Sequence, residues 1–293
     1  MTNWLFAHEP ALRLGSFFAV FALMALWEFV AARRDLDQPR NKRWFANLGI
    51  SVIDSLFVRL LFPAAAVGLA LLAESEGWGL LNSFNLPFGL AFAMSVVLLD
   101  LAIYLQHVMF HAVPLLWRFH MVHHTDQDFD LTTGIRFHPI EILLSIVIKF
   151  GVIVALGPPP AAVFVFEVVL NATSMFNHGN VRLLAGIDRW LRWIVVTPDM
   201  HRVHHSVEIA ETNSNFGFNL PWWDRLFGTY RAQPRAGHED MIIGVEHLQQ
   251  PEPMTLLGML ALPFFSAPGS YSIGGRRDPP DPVGPTVPKD RIS

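Results

Sequence analysis

Eight of the chain's thirteen histidines fall into two short stretches. The first is His107-Val-Met-Phe-His111 followed by His120-Met-Val-His123-His124, and the second is His201-Arg-Val-His204-His205. Residues four apart share a face of a helix. His107 and His111 therefore point the same way, as do His120 and His124 with His123 along the same side, and His201 with His204 and His205. Each motif is expected to offer two or three imidazoles to one point. A lone histidine on a helix is ordinarily a satisfied structural residue, and one H-x-x-H-H motif is a weak signal. Two copies plus an H-x-x-x-H at the ends of apolar runs are not, because burying so many imidazoles is costly unless something pairs with them. A metal centre supplies that pairing. Neutral imidazole suits iron, zinc, copper and nickel alike. Eight or nine such ligands are too many for one tetrahedral zinc, so two metals are the economical reading. A metal pair can share the binding and splitting of a small molecule such as O2. The chain has no cysteine, which excludes disulfides, thiolate metal sites, iron–sulfur clusters and cysteine nucleophiles.

The elements that must position these histidines are membrane helices. The chain is 52% hydrophobic and 16% charged, against about a quarter charged in soluble domains, and its mean hydropathy is +0.35. A net charge of −4 with no basic stripe gives no footprint for nucleic acid. Apolar runs occupy 14–32, 50–73, 90–110, 140–156 and 161–176, each near the length a bilayer requires. The first run lacks the basic start and small-residue cleavage site of a signal peptide, so it is expected to be retained. Arg33, Arg34, Arg40, Lys42 and Arg43 follow it and place the next loop on the cytoplasmic side, whereas the loop at 74–87 has no basic residue and is expected outside. The second run carries Asp54 and Arg59, expected to pair inside the bundle. Gly157-Pro158-Pro159-Pro160 reads as a hairpin turn that returns the chain to Asn177-His178 on the cytoplasmic side. Every histidine motif then lies on one face.

Beyond the spans, 181–196 interleaves charge with Leu and Trp and reads as an amphipathic helix at the membrane interface. Thr197-Pro198-Asp199 is a helix start that launches the last motif. Residues 213–217 read as a turn and 221–228 as an aromatic segment. The run 254–265 is too short to span and is expected to pack at the interface. The fold class is thus all-α and integral to the membrane, with about four to five transmembrane helices and a cytosolic helical cap carrying the histidines. One domain is expected over 1–267, with its core at about 90–232. A Pro- and Gly-rich tail at 268–293 is expected to be disordered.

Between Asp100 and Tyr230 the residues resemble the fatty acid hydroxylase and sterol desaturase superfamily of integral-membrane di-iron oxygenases. The resemblance rests on His107-x3-His111, His120-x2-His123-His124, Asn177-His178-Gly179-Asn180 and His201-x2-His204-His205. It also rests on their surroundings: Leu116-Trp117-Arg118-Phe119, Arg136-Phe137-His138-Pro139, Thr197-Pro198-Asp199-Met200 and Trp223-Asp224-Arg225-Leu226-Phe227-Gly228-Thr229. The pattern is similar to the bacterial sterol desaturase-like branch, whose boxes alkylglycerol monooxygenase-like and C-4 methyl sterol oxidase-like enzymes share. The resemblance implies nine metal ligands: His107, His111, His120, His123, His124, His178, His201, His204 and His205. Some members carry a second histidine one turn before the lone box, where this chain has Ser174. The open place would be filled by water, a carboxylate or another histidine, and His138 is the spare one. His138, Asp100 and Asn177 are otherwise expected to orient ligands. His8, His238 and His247 are expected at the surface.

The implied reaction is O2-dependent attack by a two-iron centre on an unactivated C–H bond of a sterol, fatty acyl or ether lipid. It gives an alcohol by hydroxylation or an alkene by desaturation, and no side chain outside the metal centre need act as a catalyst. The chain has no G-x-G-x-x-G, P-loop or haem motif, so a separate cytochrome b5-, ferredoxin- or reductase-like donor is expected at the cytoplasmic face. Two alternatives belong to other classes. A zinc-dependent membrane hydrolase would need a motif such as H-E-x-x-H, and none occurs. A metal transporter or sensor would want polar residues through the membrane core, whereas these histidines crowd one side.

Overall fold

The computed structural model describes residues 8–62 and 65–275. Among them there is no β-strand, only two isolated bridges, Ala32 with Val181 and Ser206 with Ile243. The long helices are α1 (Glu9–Val30), α2 (Arg40–Leu61), α3 (Ala65–Ser75), α4 (Phe88–Ala112), α6 (Pro139–Leu156) and α7 (Pro160–Asn177). The cap contributes α5 (Pro114–His124), α8 (Ala185–Leu191), α9 (Pro198–His204) and α10 (Leu256–Phe265), with shorter helical turns between them. Five stretches are long and apolar enough to cross a bilayer: α1, α2 with α3, α4, α6 and α7. The protein is thus an all-helical integral membrane protein, as the apolar runs indicate. Leu14, Phe18, Leu23, Leu26 and Phe29 on α1, and Val52, Leu56 and Leu60 on α2, are exposed and offer the apolar surface that lipid covers.

Local chemistry sets the helix ends near the site. Pro114 occupies the first turn of α5, and Val113 before it is extended, so the chain turns sharply out of α4. Pro139 and Pro160 likewise open α6 and α7. Between those two helices Gly157 adopts a left-handed conformation at φ 63°. A Cβ on neighbouring Gly79 would lie 2.2 Å from Gly157 N, so this corner admits only glycine.

The bundle core joins Ala66, Val67 and Ala70 of α3 to Leu99 of α4, Ile153 of α6 and Phe166 of α7. A second core seals the cap: Trp117, Met121 and Val122 of α5 pack with Val245, with Met259 and Leu262 of α10, and with Tyr271. Residues 268–275, expected to open the tail, belong to this body. Tyr271 stacks on Trp117 with centroids 5.9 Å apart, and the Trp117 indole donates to Pro268 O at 3.0 Å. The tail expectation for 276–293 falls outside the described residues.

Two other expectations change. Asp54 is buried but Arg59 is exposed, and no ion pair joins them among the described residues. Five residues on a helix put two side chains on divergent faces. Arg43 is not a solvated loop charge. It lies fully buried in the first turn of α2, forked onto Asp126 at 2.9 Å through two nitrogens and onto Asp130 at 2.8 Å.

Candidate metal centre

The nine histidines come from four elements and form two groups. His107, His111, His120, His124 and His204 make the first, and His123, His178, His201 and His205 the second. Within each group the ring nitrogens that face one another lie within 4.8 Å of each other, and every residue is buried. The motifs do not each serve one point. On α5, His120 and His124 turn to the first group and His123 to the second. On α9, His201 and His205 turn to the second group and His204 to the first. Residues four apart are nearly aligned, whereas an adjacent residue is rotated by about 100°. Each H-x-x-H-H motif therefore straddles both groups. His124 and His205 stack across the divide, with centroids 4.5 Å apart.

Each element is fixed independently. Thr197 caps α9, and its hydroxyl donates to Asp188 at 2.6 Å. Asn215 donates to Met200 O at 2.8 Å and holds the next loop against the same helix. His178 sits at the C-terminal end of α7, where its Nδ1 meets Ser174 O at 2.8 Å.

The hydrogen bonds at Nδ1 determine the tautomers. His107 Nδ1 faces Phe216 O at 2.8 Å, His123 faces Arg136 O at 3.2 Å and His204 faces Ser214 O at 2.7 Å. His120 Nδ1 faces a Glu141 carboxylate oxygen at 2.7 Å. A backbone carbonyl can only accept, so His107, His123, His178 and His204 carry the proton on Nδ1. Their Nε2 atoms are then bare lone pairs when the rings are neutral. Yet His178 Nε2 lies 3.1 Å from His123 Nε2. Two lone pairs at that distance repel unless a cation stands between them. A proton is disfavoured, because burial pushes His120 and His178 down to about 3 and holds His123, His124, His201, His204 and His205 well below the ordinary value. Both ring nitrogens of His111, His124 and His205 are buried without a hydrogen-bond partner among the described residues. So many orphaned nitrogens would be costly for a native interior. A metal pair fits this donor set.

The same burial predicts an acid limit for the metal-free protein. Below about pH 6.5 the unfolded chain takes up protons on these imidazoles while the folded chain does not. Stability is complete above that pH and falls as pH drops below it. Thermal unfolding of chelator-stripped protein between about pH 8 and pH 5 should show a falling midpoint that added metal restores.

Ser174 does not leave a vacancy for His138. The Ser174 hydroxyl turns to Gly134 O, and the second group closes with four imidazoles. His138 caps α6: its Nδ1 accepts from Ile140 N at 3.2 Å, and its Nε2 donates to Leu260 O at 3.2 Å. Both nitrogens are engaged away from the clusters. Asp100 accepts from the Trp223 indole at 2.8 Å and from Leu220 N at 3.2 Å, and Asn177 donates to Phe218 O at 2.9 Å. These two hold the loop beside the histidines rather than the imidazoles themselves. His247 and His8 are exposed, but His238 is buried, its Nε2 3.9 Å from an Asp199 oxygen.

Glu141 is the histidine-orienting group that sequence reasoning missed. It is the one carboxylate among the Nδ1 partners, and a carboxylate strengthens the donor character of the opposite nitrogen. Its only signal was an acidic residue in the first turn of an apolar span. Glu141→Gln keeps an acceptor but loses the charge. Metal titration of the variant should show an affinity about 10- to 100-fold weaker.

A bundle of five candidate spans closes, at one end, two histidine clusters that could hold metal. Residues 92–229 match the fatty acid hydroxylase family model, and the chain is similar to lipid hydroxylases and monooxygenases. It is similar to ornithine lipid hydroxylase of Rhizobium tropici, at 28% identity over 94% of this chain and 84% of that protein. It is also similar to human alkylglycerol monooxygenase, at 29% identity over 67% of this chain but only 43% of that protein. Cholesterol 25-hydroxylase of Rattus norvegicus is 30% identical over 55% of this chain and 56% of its own length. No solved structure matches.

Proposed function

We propose that this protein is an O2-dependent di-iron hydroxylase of a membrane lipid, with His107, His111, His120, His124 and His204 holding one iron and His123, His178, His201 and His205 the other. The carrying observation is the set of buried imidazoles whose Nδ1 atoms are tied off and whose Nε2 lone pairs converge. Bound iron would supply O2 activation and removal of hydrogen from an unactivated C–H bond. The chain's own residues do the rest. Carbonyls of Phe216, Arg136, Ser174 and Ser214 fix ring orientation, and Glu141 does so at His120. Phe129, Phe216 and Phe218 cover the clusters and exclude water. The relatives' names favour hydroxylation over desaturation and a lipid with a polar head as substrate.

We place the centre on the cytoplasmic side, because the histidines share the end of the bundle that carries Arg33, Arg34, Arg40 and Lys42. Electrons come from a separate donor there. Metal analysis of the purified protein should find two irons per chain, and lipid extracts of a complemented deletion strain grown under 18O2 should carry one labelled hydroxyl. Product formed in strict anaerobiosis would favour a zinc hydrolase and sink the proposal.

A further inference from the structure

Asp100 is the central residue of α4. At about 1.5 Å per residue the helix is about 37 Å long, against a hydrocarbon core of about 30 Å. Wherever the core is set along it, Asp100 lies at least about 11 Å from either boundary. This carboxylate nevertheless binds the cap, through Leu220 N and the Trp223 indole. One turn nearer the histidines, Tyr104 meets the Thr229 hydroxyl at 2.9 Å and stacks on Phe227 at 5.4 Å. On the other side Thr173 of α7 bonds Asn219. The loop after Asn215 is thus wedged between two membrane helices, below the histidines.

Its side chains are arranged as lipid would require. Asp224 is buried and accepts from Phe216 N at 2.7 Å, Gly217 N at 2.8 Å and the Thr229 hydroxyl at 2.7 Å. Trp222, Leu226 and Phe227 point outward, Leu226 at 70% exposure. The adjoining stretch largely repeats the pattern: Asp188 and Arg192 pair inward at 2.6 Å while Ile187, Trp190, Trp193 and Ile194 are exposed, with Arg189 the one exposed charge among them. A charged interior under an apolar exterior is the reverse of a cytosolic surface. The inner edge of the loop meets the metal centre. The Phe216 ring lies 5.1 Å from His111 and 5.5 Å from His204, and the Phe218 ring 6.3 Å from His201.

We propose that residues 216–228 form a re-entrant segment immersed in the acyl layer of the bilayer. Its outer face is covered by lipid chains, and its inner edge, Phe216 to Phe218, is the wall past which the acyl chain of the substrate reaches the histidines. The second part rests on the hydroxylase reading, whereas immersion does not.

The absence of cysteine makes the test clean, since one introduced thiol is labelled uniquely. Leu226→Cys and, as an aqueous control, the exposed Ala210→Cys would carry the fluorophore NBD in phosphatidylcholine nanodiscs. The Leu226 probe should be quenched by nitroxides on the acyl chains and resist reduction by aqueous dithionite. The Ala210 probe should behave the opposite way. Equal dithionite reduction at both sites would overturn immersion, whatever the protein's activity. For the wall, a phosphatidylcholine with a diazirine at its acyl terminus should label Phe216 and Gly217, which are buried away from bulk lipid. Labelling confined to Trp222, Leu226 and Phe227 would overturn the entry route while leaving immersion standing.

Discussion

Replacing His124 by alanine should abolish lipid hydroxylation, with a loss in kcat/KM beyond the roughly 10- to 100-fold that follows when only a ligand's partner is removed. It should also remove one of the two metal equivalents. His124 is fully buried, and both its nitrogens lack a hydrogen-bond partner among the described residues, as the proposed coordination requires. His205 is its counterpart in the second group, with the same orphaned nitrogens and a ring stacked on His124. His205→Ala should remove the other equivalent, and the double variant both. His138→Ala supplies the contrast within one residue type. It removes a helix cap worth about 1 kcal/mol and leaves two metals bound. Metal content by elemental analysis, beside turnover measured as labelled hydroxyl, separates these outcomes. Full activity and two metals in His124→Ala would end the proposed ligand set.

The histidine set was readable because its signal is local. Four-residue spacing puts two imidazoles on one face wherever the helix goes, and apolar runs of 16 to 24 residues announce spans whatever their packing. What could not be read is the division of each H-x-x-H-H motif between two groups, since His123 and His204 take sides only once α5 and α9 are docked. Glu141 was invisible for the same reason. Its partner His120 is 21 residues away, and nothing in the chain marks the pair. His138 carried two readings, spare ligand or structural residue at a helix start, and it caps the helix. The expected Asp54–Arg59 pair failed on rotation about a single helix.

The loop between α5 and α6 joins these threads. Arg136 carries the carbonyl that orients His123, and its guanidinium is itself held by Val122 O at 3.0 Å, the Thr125 hydroxyl at 2.7 Å and Asn47 at 3.2 Å. Asn47 belongs to α2 and also donates to Asp126. A membrane helix that carries none of the nine clustered histidines therefore sets the orientation of one imidazole through Arg136, so the geometry of the proposed ligands depends on how the spans pack.

Arg43→Met should accordingly be the most damaging substitution remote from the histidines. Arg43 is wholly buried, and so are its partners Asp126 and Asp130. Removing one member of such a network leaves charges uncompensated in a low-dielectric interior, a cost of about 3–5 kcal/mol. The methionine fills a similar volume, so the loss is electrostatic rather than a cavity. Asp126 answers to Arg43 and Arg136 together: burial raises its carboxyl, but the two guanidiniums outweigh that and hold it below the usual carboxylate range. Without Arg43 it should take up a proton more readily, which weakens its grip on Asn47 and Thr133. The thermal midpoint should fall, and metal should be lost at temperatures where the parent retains it. Adding Asp126→Asn and Asp130→Asn to Arg43→Met should recover part of the midpoint, because the uncompensated charges go with them. A triple variant no more stable than the single one would show that the arginine contributes by packing and not by charge.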